Sequence, residues 1–311
     1  MQIKTFLKAL ISIVLLWIAV RQVNLAELGR VLHGLNYYWL LAAIMLQLFV
    51  LLTLSYRLSW LLYRQAVKIK KIIPLIEICW ISQFFNLFLP GQMAGDLVKI
   101  YKIAGKEGPP VQSTMVVVMD RVLGLTTMVL IAVLALLIGR YSLNLSVARH
   151  VVILLAFGCG LFYYFIFSKK IFNRIKILKS WLKIIKIDKI AAEMYQGFHS
   201  YRNQPRVLFY AIIISIIGQL LTFIVGYFVA ESVGVSVPIG YYFVILPVIS
   251  VICVLPLSIS GLGLQDGAIV FFFSQLGVDP ARALGFSLLS HIIRWGMGLA
   301  GGLVYLFERE E

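Results

Sequence analysis

Two long hydrophobic segments of this chain are each interrupted by a proline and several glycines, at corresponding places in its two halves. The first covers residues 72–89 and breaks at Pro90, and the second covers residues 241–255 and breaks at Pro256. A broken helix frees backbone N–H and C=O groups, which a membrane tolerates only where they line a cavity or contact protein. Paired breaks in two halves therefore predict an inverted repeat with a binding site between them.

The composition indicates a membrane protein. Of its 311 residues, 61% are hydrophobic and 13% are charged. Several apolar runs approach or exceed the roughly 20 residues that a helix needs to cross a bilayer. We predict an all-α polytopic membrane protein with about six to eight transmembrane helices, forming one domain over residues 1–311.

The distribution of positive charge predicts the orientation. The net charge is +15, and with a cytoplasmic N-terminus about 20 of the 28 Lys and Arg residues lie inside, against about 5 outside. We attribute this excess to the positive-inside bias, and not to nucleic-acid binding. The sequence thus predicts a multi-pass protein of the cell inner membrane with both termini in the cytoplasm.

Residues 169–196 form a separate, lysine-rich region. Its first part alternates apolar and basic residues at helical spacing, which predicts an amphipathic helix in the cytoplasmic interface with lysines toward anionic lipids. The alternative is that this charge only sets the topology.

Basic residues also flank segment 72–89 on both sides, so we expect it to enter and leave the membrane from the cytoplasm. The loop before the second segment has no basic residue, so that segment is expected to dip in from outside. An ordinary kinked crossing helix is the alternative for each segment.

Charged residues follow the first break and recur in the next apolar helix. An aspartate just after a break either caps the helix that starts there or faces a polar pocket with free amides. Arginine inside an apolar helix is costly in lipid, so it pairs with a carboxylate of the protein or holds a phosphate, whose oxygens match its planar fork. The candidates here are Pro90, Gly95, Asp96, Lys99, Asp120 and Arg121.

The second break has a similar set of residues. Small residues there allow close backbone approach and leave amides available for an anionic group. The last helix carries Arg294, for which we predict a phosphate-binding role, and His291, which we interpret as a hydrogen-bonded interior residue. The candidates in this half are Gly261, Gly263, Gln265, Asp266, Gly267 and Arg294.

Signals of enzymatic chemistry are weak in this sequence. It has no His-Glu-x-x-His, no Gly-x-Ser-x-Gly and no Walker loop, and its three cysteines lie far apart. We therefore expect no catalytic residues, no metal site and no cofactor.

Three stretches together resemble one family. They are Asn-Leu-Phe-Leu-Pro-x4-Gly-Asp-Leu-Val-Lys-Ile-Tyr at residues 86–101, Asp-Arg-x2-Gly at 120–124, and Pro-x-Ser-Ile-x-Gly-Leu-Gly-x2-Asp-Gly at 256–267. In this order they resemble the lysylphosphatidylglycerol synthase transmembrane-region family, also called flippase-like domain proteins. The resemblance implies a multi-helix lipid-translocation fold with re-entrant segments.

The chain departs from the family pattern at three positions. Ala94 stands where a glycine is common, Lys99 where an arginine is common, and Gln265-Asp266 where an Arg-Glu pair is common. The sequence ends at Glu311, without the soluble aminoacyl-transferase domain of the full-length synthases, so we expect it not to make lysylphosphatidylglycerol by itself.

The function predicted from all these features is translocation of a lipid headgroup between leaflets. The resemblance leaves open whether the lipid is a phospholipid, an aminoacyl-lipid, a hopanoid or a glycan-lipid. Arginines would hold phosphate, and carboxylates would hold any amine. One alternative is a transferase acting on a lipid phosphate, with Asp96 and Asp120 as metal or acid–base groups. Another is an accessory subunit that presents lipid to a partner lipid-modifying enzyme.

Overall fold

The computed structural model describes residues 25–62, 71–87, 93–105, 110–139, 146–167, 201, 204–254, 258 and 260–307. These residues form ten helices and, among them, no strand. In chain order the helices are α1 (Leu25–His33), α2 (Tyr37–Leu62), α3 (Ile72–Asn86), α4 (Met93–Ala104), α5 (Pro110–Ile138), α6 (Ser146–Phe167), α7 (Pro205–Ser232), α8 (Ile239–Val254), α9 (Leu264–Ser274) and α10 (Pro280–Phe307).

Apart from α1, the described helices fall into two matching groups of four on either side of α6. In the first group α2, α3, α4 and α5 have 26, 15, 12 and 29 residues. In the second group α7, α8, α9 and α10 have 28, 16, 11 and 28 residues. Each group is thus a long helix, two short helices and another long helix. The two predicted breaks lie between the short helices of each group.

The first helices of the two groups, α2 and α7, pack against each other in opposite directions. Near one end, Asn36 just before α2 donates its backbone N–H to the Ser232 carbonyl at the end of α7, at 2.9 Å. Toward the other end, Trp60 of α2 stacks on Tyr210 of α7 with ring centroids 4.7 Å apart. These two equivalent helices therefore run antiparallel, as an inverted repeat requires.

The short helices also pack across the repeat. Helix α3 lies against α10, the last helix of the other group, and α8 lies against α5 in the same way. The Trp80 indole N–H of α3 donates to the Met297 carbonyl of α10 at 2.8 Å. At Gly301 of α10 a Cβ would overlap the Trp80 carbonyl, so only glycine allows this close approach.

Four of the described helices are long and apolar enough to cross a membrane, namely α2, α5, α6 and α7. Helices α3, α8 and α9 are apolar but shorter, at 15, 16 and 11 residues. At about 1.5 Å per residue, these fall short of the roughly 30 Å hydrocarbon core. Helix α10 has the length to cross but carries His291 and Arg294. The protein is thus an all-α polytopic membrane protein with two broken segments, as predicted.

Helices α5, α7 and α10 each begin at a proline, namely Pro110, Pro205 and Pro280. Proline is favoured in the first helical turn, where its missing N–H would have no partner in the helix. The amphipathic region predicted at residues 169–196 and the prolines of both breaks, Pro90 and Pro256, lie outside the described residues.

Candidate functional site

In the first half of the repeat, Asp96 of α4 and Arg121 of α5 form an ion pair. The Arg121 Nε lies 2.7 Å from Asp96 Oδ2, and its Nη2 lies 3.1 Å from Oδ1. The pair is bidentate, which is a strong arrangement for an arginine and a carboxylate. Asp96 lies in the first turn of α4. In the structure, the carboxylate that pairs with Arg121 is thus that of Asp96 and not that of Asp120.

Gly95 brings α4 close to α3 beside this ion pair. Its backbone N–H donates to the Asn86 side-chain oxygen at 2.7 Å. A Cβ at Gly95 would overlap the Ser82 carbonyl of α3 and lie 2.5 Å from the Asn86 amide nitrogen. Only glycine fits this approach, so Gly95 positions the neighbouring Asp96 by packing.

The second carboxylate of this half, Asp120, pairs with an arginine that sequence analysis did not assign to the site. The Arg57 Nε of α2 lies 2.6 Å from Asp120 Oδ1, and both side chains are less than one-tenth exposed. Arg57 Nη1 also donates to the Ser215 hydroxyl of α7 at 3.1 Å. Lys99 approaches the other Asp120 oxygen at 4.0 Å. Arg57 could have been found from the sequence, because it is a charged residue within an apolar helix. The same criterion identified Arg121 and Arg294 as candidate site residues.

In the second half, a turn of left-handed residues leads into α9. Ser260, Gly261 and Gly263 have φ values of 52°, 82° and 76°. The Gly263 N–H donates to Asp266 Oδ2 at 2.7 Å, so Asp266 caps the first turn of α9. Gly267 follows in the helix, and a Cβ there would meet nothing within 4 Å.

The other oxygen of Asp266 is also fully occupied. Asp266 Oδ1 accepts from the Ser287 hydroxyl at 2.5 Å and lies 3.1 Å from His291 Nε2. Asp266 is 0% exposed. His291 follows Asp266 by 25 residues, the same interval that separates Asp96 from Arg121. His291 is therefore the equivalent of Arg121 in the second half, because it contacts the aspartate there. The sequence had suggested Arg294 for this place.

Arg294 has a different environment. Its Nη1 donates to the Ser260 carbonyl at 3.0 Å, and its Nη2 donates to Gln265 Oε1 at 2.6 Å. Both acceptors are neutral. No carboxylate of the described residues lies within ion-pair distance of this guanidinium. Its guanidinium is thus held by neutral oxygens, and the Asp266 carboxylate acts on it only from beyond ion-pair distance.

A cavity of about 460 Å³ lies between the two halves. Its walls come from α2 to α5 and from α7 to α10, together with Ser260 of the second break. Gln219 lies near the middle of the 28-residue α7 and also faces this cavity. Five of the twelve predicted site residues line it: Lys99, Asp120, Arg121, Gln265 and Arg294.

The other predicted site residues do not line the cavity. Those in the described part of the chain are Gly95, Asp96, Gly261, Gly263, Asp266 and Gly267, and Pro90 lies outside it. Gly95, Asp96, Gly263 and Asp266 instead shape the turns or hold charged groups that stand next to the cavity. Direct contact of these residues with a ligand stays a prediction.

The charges lining the cavity are mostly positive. Among the described residues that line it, four cationic side chains face the single carboxylate of Asp120, namely Arg57, Lys99, Arg121 and Arg294. Neutral amides and hydroxyls supply most of the remaining polar surface, among them Gln47, Gln83, Asn86, Gln219, Thr222, Ser250 and Ser290. Within the described part of the chain, no group of three His, Cys, Asp or Glu residues could hold a metal ion. The cavity is therefore suited to an anionic, hydrogen-bonding group.

Comparison with known proteins gives a family for the whole chain. The family model described as lysylphosphatidylglycerol synthase TM region matches residues 5–302. A UPF0104 membrane protein of Methanothermobacter thermautotrophicus is 26% identical over 301 residues, covering 86% of this chain and 82% of the relative. A second UPF0104 membrane protein of that organism is 23% identical over 303 residues, covering 89% and 87%. No solved structure matches. The chain belongs to the lysylphosphatidylglycerol synthase transmembrane-region family.

Proposed function

We propose, from this family membership and from the cationic cavity, that the protein binds a membrane lipid and moves its headgroup between the two leaflets. The observation that carries the proposal is the cavity itself, which places four cations against one carboxylate between two inverted halves. Such charges are costly at membrane depth unless they have partners, so they mark a ligand pathway. An arginine is the natural ligand of a lipid phosphate because its planar fork matches the phosphate oxygens.

The inverted repeat supplies a way to open the cavity alternately to the two sides. In such folds, movement of one half against the other exposes a fixed central site to each leaflet in turn. The short helix pairs α3–α4 and α8–α9 come from opposite halves, and both contribute residues to the cavity wall. The acyl chains would stay in the bilayer, against the apolar outer faces of the helices.

The cellular location of the protein and its partners are also part of what we propose. We propose the cell inner membrane, with both termini cytoplasmic, on the strength of the positive-inside bias. Anionic lipids at the cytoplasmic face would attract the lysine-rich region 169–196. A partner lipid-modifying enzyme would supply or consume the lipid, and the protein itself would leave the lipid covalently unchanged.

The test is a translocation assay with the full chain in liposomes. Fluorescently labelled phosphatidylglycerol is placed in both leaflets, and a membrane-impermeant reductant then bleaches the outer leaflet. The wild-type protein is expected to bring inner-leaflet label to the reductant faster than protein-free liposomes do. Arg294→Ala is expected to slow this step at least about tenfold, since a hydrogen bond to a charged group contributes about 1.5–3 kcal/mol.

Arg149→Ala is the matched control, since Arg149 is exposed on α6 and lies outside the cavity. A folded Arg294→Ala protein that moves the lipid at the wild-type rate would refute the proposed mechanism. A covalently changed lipid in the same liposomes would favour the transferase alternative. Activity that appears only on adding a second enzyme would favour the accessory role.

A further inference from the structure

We propose that the cavity selects lipids whose headgroup ends in a phosphomonoester or diphosphate and excludes headgroups that carry an amine. This inference rests on the proposed function and specifies its substrate class. It follows from the charges that remain in the cavity after the internal ion pairs are formed.

Two of the four cations already have a carboxylate. Arg57 is paired with Asp120 at 2.6 Å, and Arg121 is paired with Asp96 at 2.7 Å. Each pair balances one positive charge with one negative charge. A ligand anion gains little from an arginine whose charge is already balanced, because the carboxylate repels it at nearly the same distance.

The other two cations keep a net charge. Arg294 bonds only neutral oxygens of Ser260 and Gln265. Lys99 has Asp120 as its nearest carboxylate, at 4.0 Å, and that carboxylate is held more closely by Arg57. Among the described residues, four lining cations against Asp120 and Asp96 leave about two positive charges on the lining, and the buried Asp266 acts on Arg294 only from beyond ion-pair distance. A phosphodiester brings one negative charge, whereas a phosphomonoester carries close to two near neutral pH.

A cationic amine has no place in this arrangement. The sequence suggested that carboxylates would hold an amine, yet Asp120 is the one carboxylate among the described lining residues, and cations occupy both of its oxygens. Placing an ammonium group beside Lys99 or Arg294 would add a like charge at low dielectric. The cavity thus repels an aminoacyl or ethanolamine headgroup.

One isosteric substitution tests this charge balance. Gln265→Glu replaces the amide oxygen 2.6 Å from Arg294 with a carboxylate of the same shape. It neutralises Arg294 without removing its hydrogen bond. Gln275→Glu is the matched control, because Gln275 follows the end of the same helix and lies outside the cavity.

The experiment measures binding of short-chain lipids to the full chain in a neutral detergent by calorimetry. The probes are dihexanoyl phosphatidic acid, dihexanoyl phosphatidylglycerol, dihexanoyl phosphatidylethanolamine and inorganic phosphate. For the wild type we expect phosphatidic acid to bind at least about tenfold more tightly than phosphatidylglycerol, and phosphatidylethanolamine to bind most weakly. Gln265→Glu should remove the tenfold preference, and Gln275→Glu should keep it.

Three results would overturn the inference. The first is phosphatidylethanolamine binding as tightly as phosphatidic acid. The second is a folded Gln265→Glu protein with the wild-type preference. The third is inorganic phosphate binding as tightly as phosphatidic acid, which would make the cavity a site for the free anion. Failure of the proposed function would give a different result. A protein that binds phosphatidic acid selectively but moves no lipid in liposomes would support the selectivity and contradict the translocation.

Discussion

Asp120 is expected to be one of the most sensitive positions of the fold, because it neutralises a buried arginine that three helices share. The Arg57 guanidinium of α2 lies 2.6 Å from Asp120 of α5 and donates to Ser215 of α7. Replacing Asp120 with leucine would put an apolar side chain of similar size in its place. It would leave Arg57 charged and without its carboxylate.

The size of the effect follows from the distance and the burial. At 2.6 Å and an effective dielectric constant of about 20, two unit charges attract by about 6 kcal/mol. Removing one partner of a buried pair costs about 3–5 kcal/mol. Arg57→Met should cost less than Asp120→Leu, since Lys99 still lies 4.0 Å from the remaining carboxylate. The double variant should recover most of the loss, because a buried pair and an apolar pair of similar volume are often about equal in stability.

The assay is reversible unfolding in mixed micelles by titration with a denaturing detergent, followed by tryptophan fluorescence. The free energies of unfolding of the wild type, both single variants and the double variant form a double-mutant cycle. A coupling energy of at least about 2 kcal/mol is expected. Single variants within about 0.5 kcal/mol of the wild type, or strictly additive losses, would refute the buried ion pair.

Three further predictions concern the helices that hold the site. Gly301→Ala places a Cβ against the Trp80 carbonyl and should lower the free energy of unfolding by about 1–3 kcal/mol in the same titration. Gly263→Ala should cost about 1–2 kcal/mol because φ is 76° there, whereas Gly267→Ala should be neutral or slightly stabilising in that measurement. Asp266→Asn should cost about 1–3 kcal/mol by the same titration, since the buried carboxylate accepts from three groups.

Two of these predictions have a control in the same region. Gly296→Ala lies on α10 like Gly301 but meets nothing within 4 Å, so equal losses for the two would contradict the close packing of α3 on α10. Equal losses for Gly263→Ala and Gly267→Ala would show that the left-handed turn does not matter. An Asp266→Asn protein as stable as the wild type would mean that His291 and Ser287 gain nothing from the carboxylate charge.

The sequence predicted the features that depend on local chemistry. The paired breaks, the polytopic α-helical class and the inverted relation of the halves follow from hydrophobic runs, prolines and charge bias, and the structure confirms them. The pairing of Arg121 with Asp96 was one of two possibilities. In the structure Arg121 pairs with Asp96, and Asp120 pairs with Arg57 of α2.

Contacts between distant helices could not be predicted from one sequence. Arg57 and Asp120 are 63 residues apart, and nothing in the local pattern shows that their helices meet. The glycines of α10 look like ordinary small residues until α3 is placed against them. The interval of 25 residues is visible in both halves. His291 was predicted to be a hydrogen-bonded interior residue, which the structure confirms, but Arg294, three residues later, was taken as the counterpart of Arg121.

The central claim is that the cavity holds a lipid headgroup, and native mass spectrometry of the gently purified protein tests it most directly. The measurement compares lipids that co-purify with the wild type and with Arg294→Ala, and identifies them by fragmentation. We predict an anionic lipid that is enriched over the bulk membrane in the wild type and lost in the variant. A lipid mixture that matches the bulk membrane in both proteins would contradict it and leave Arg294 as a residue that only anchors the turn before α9.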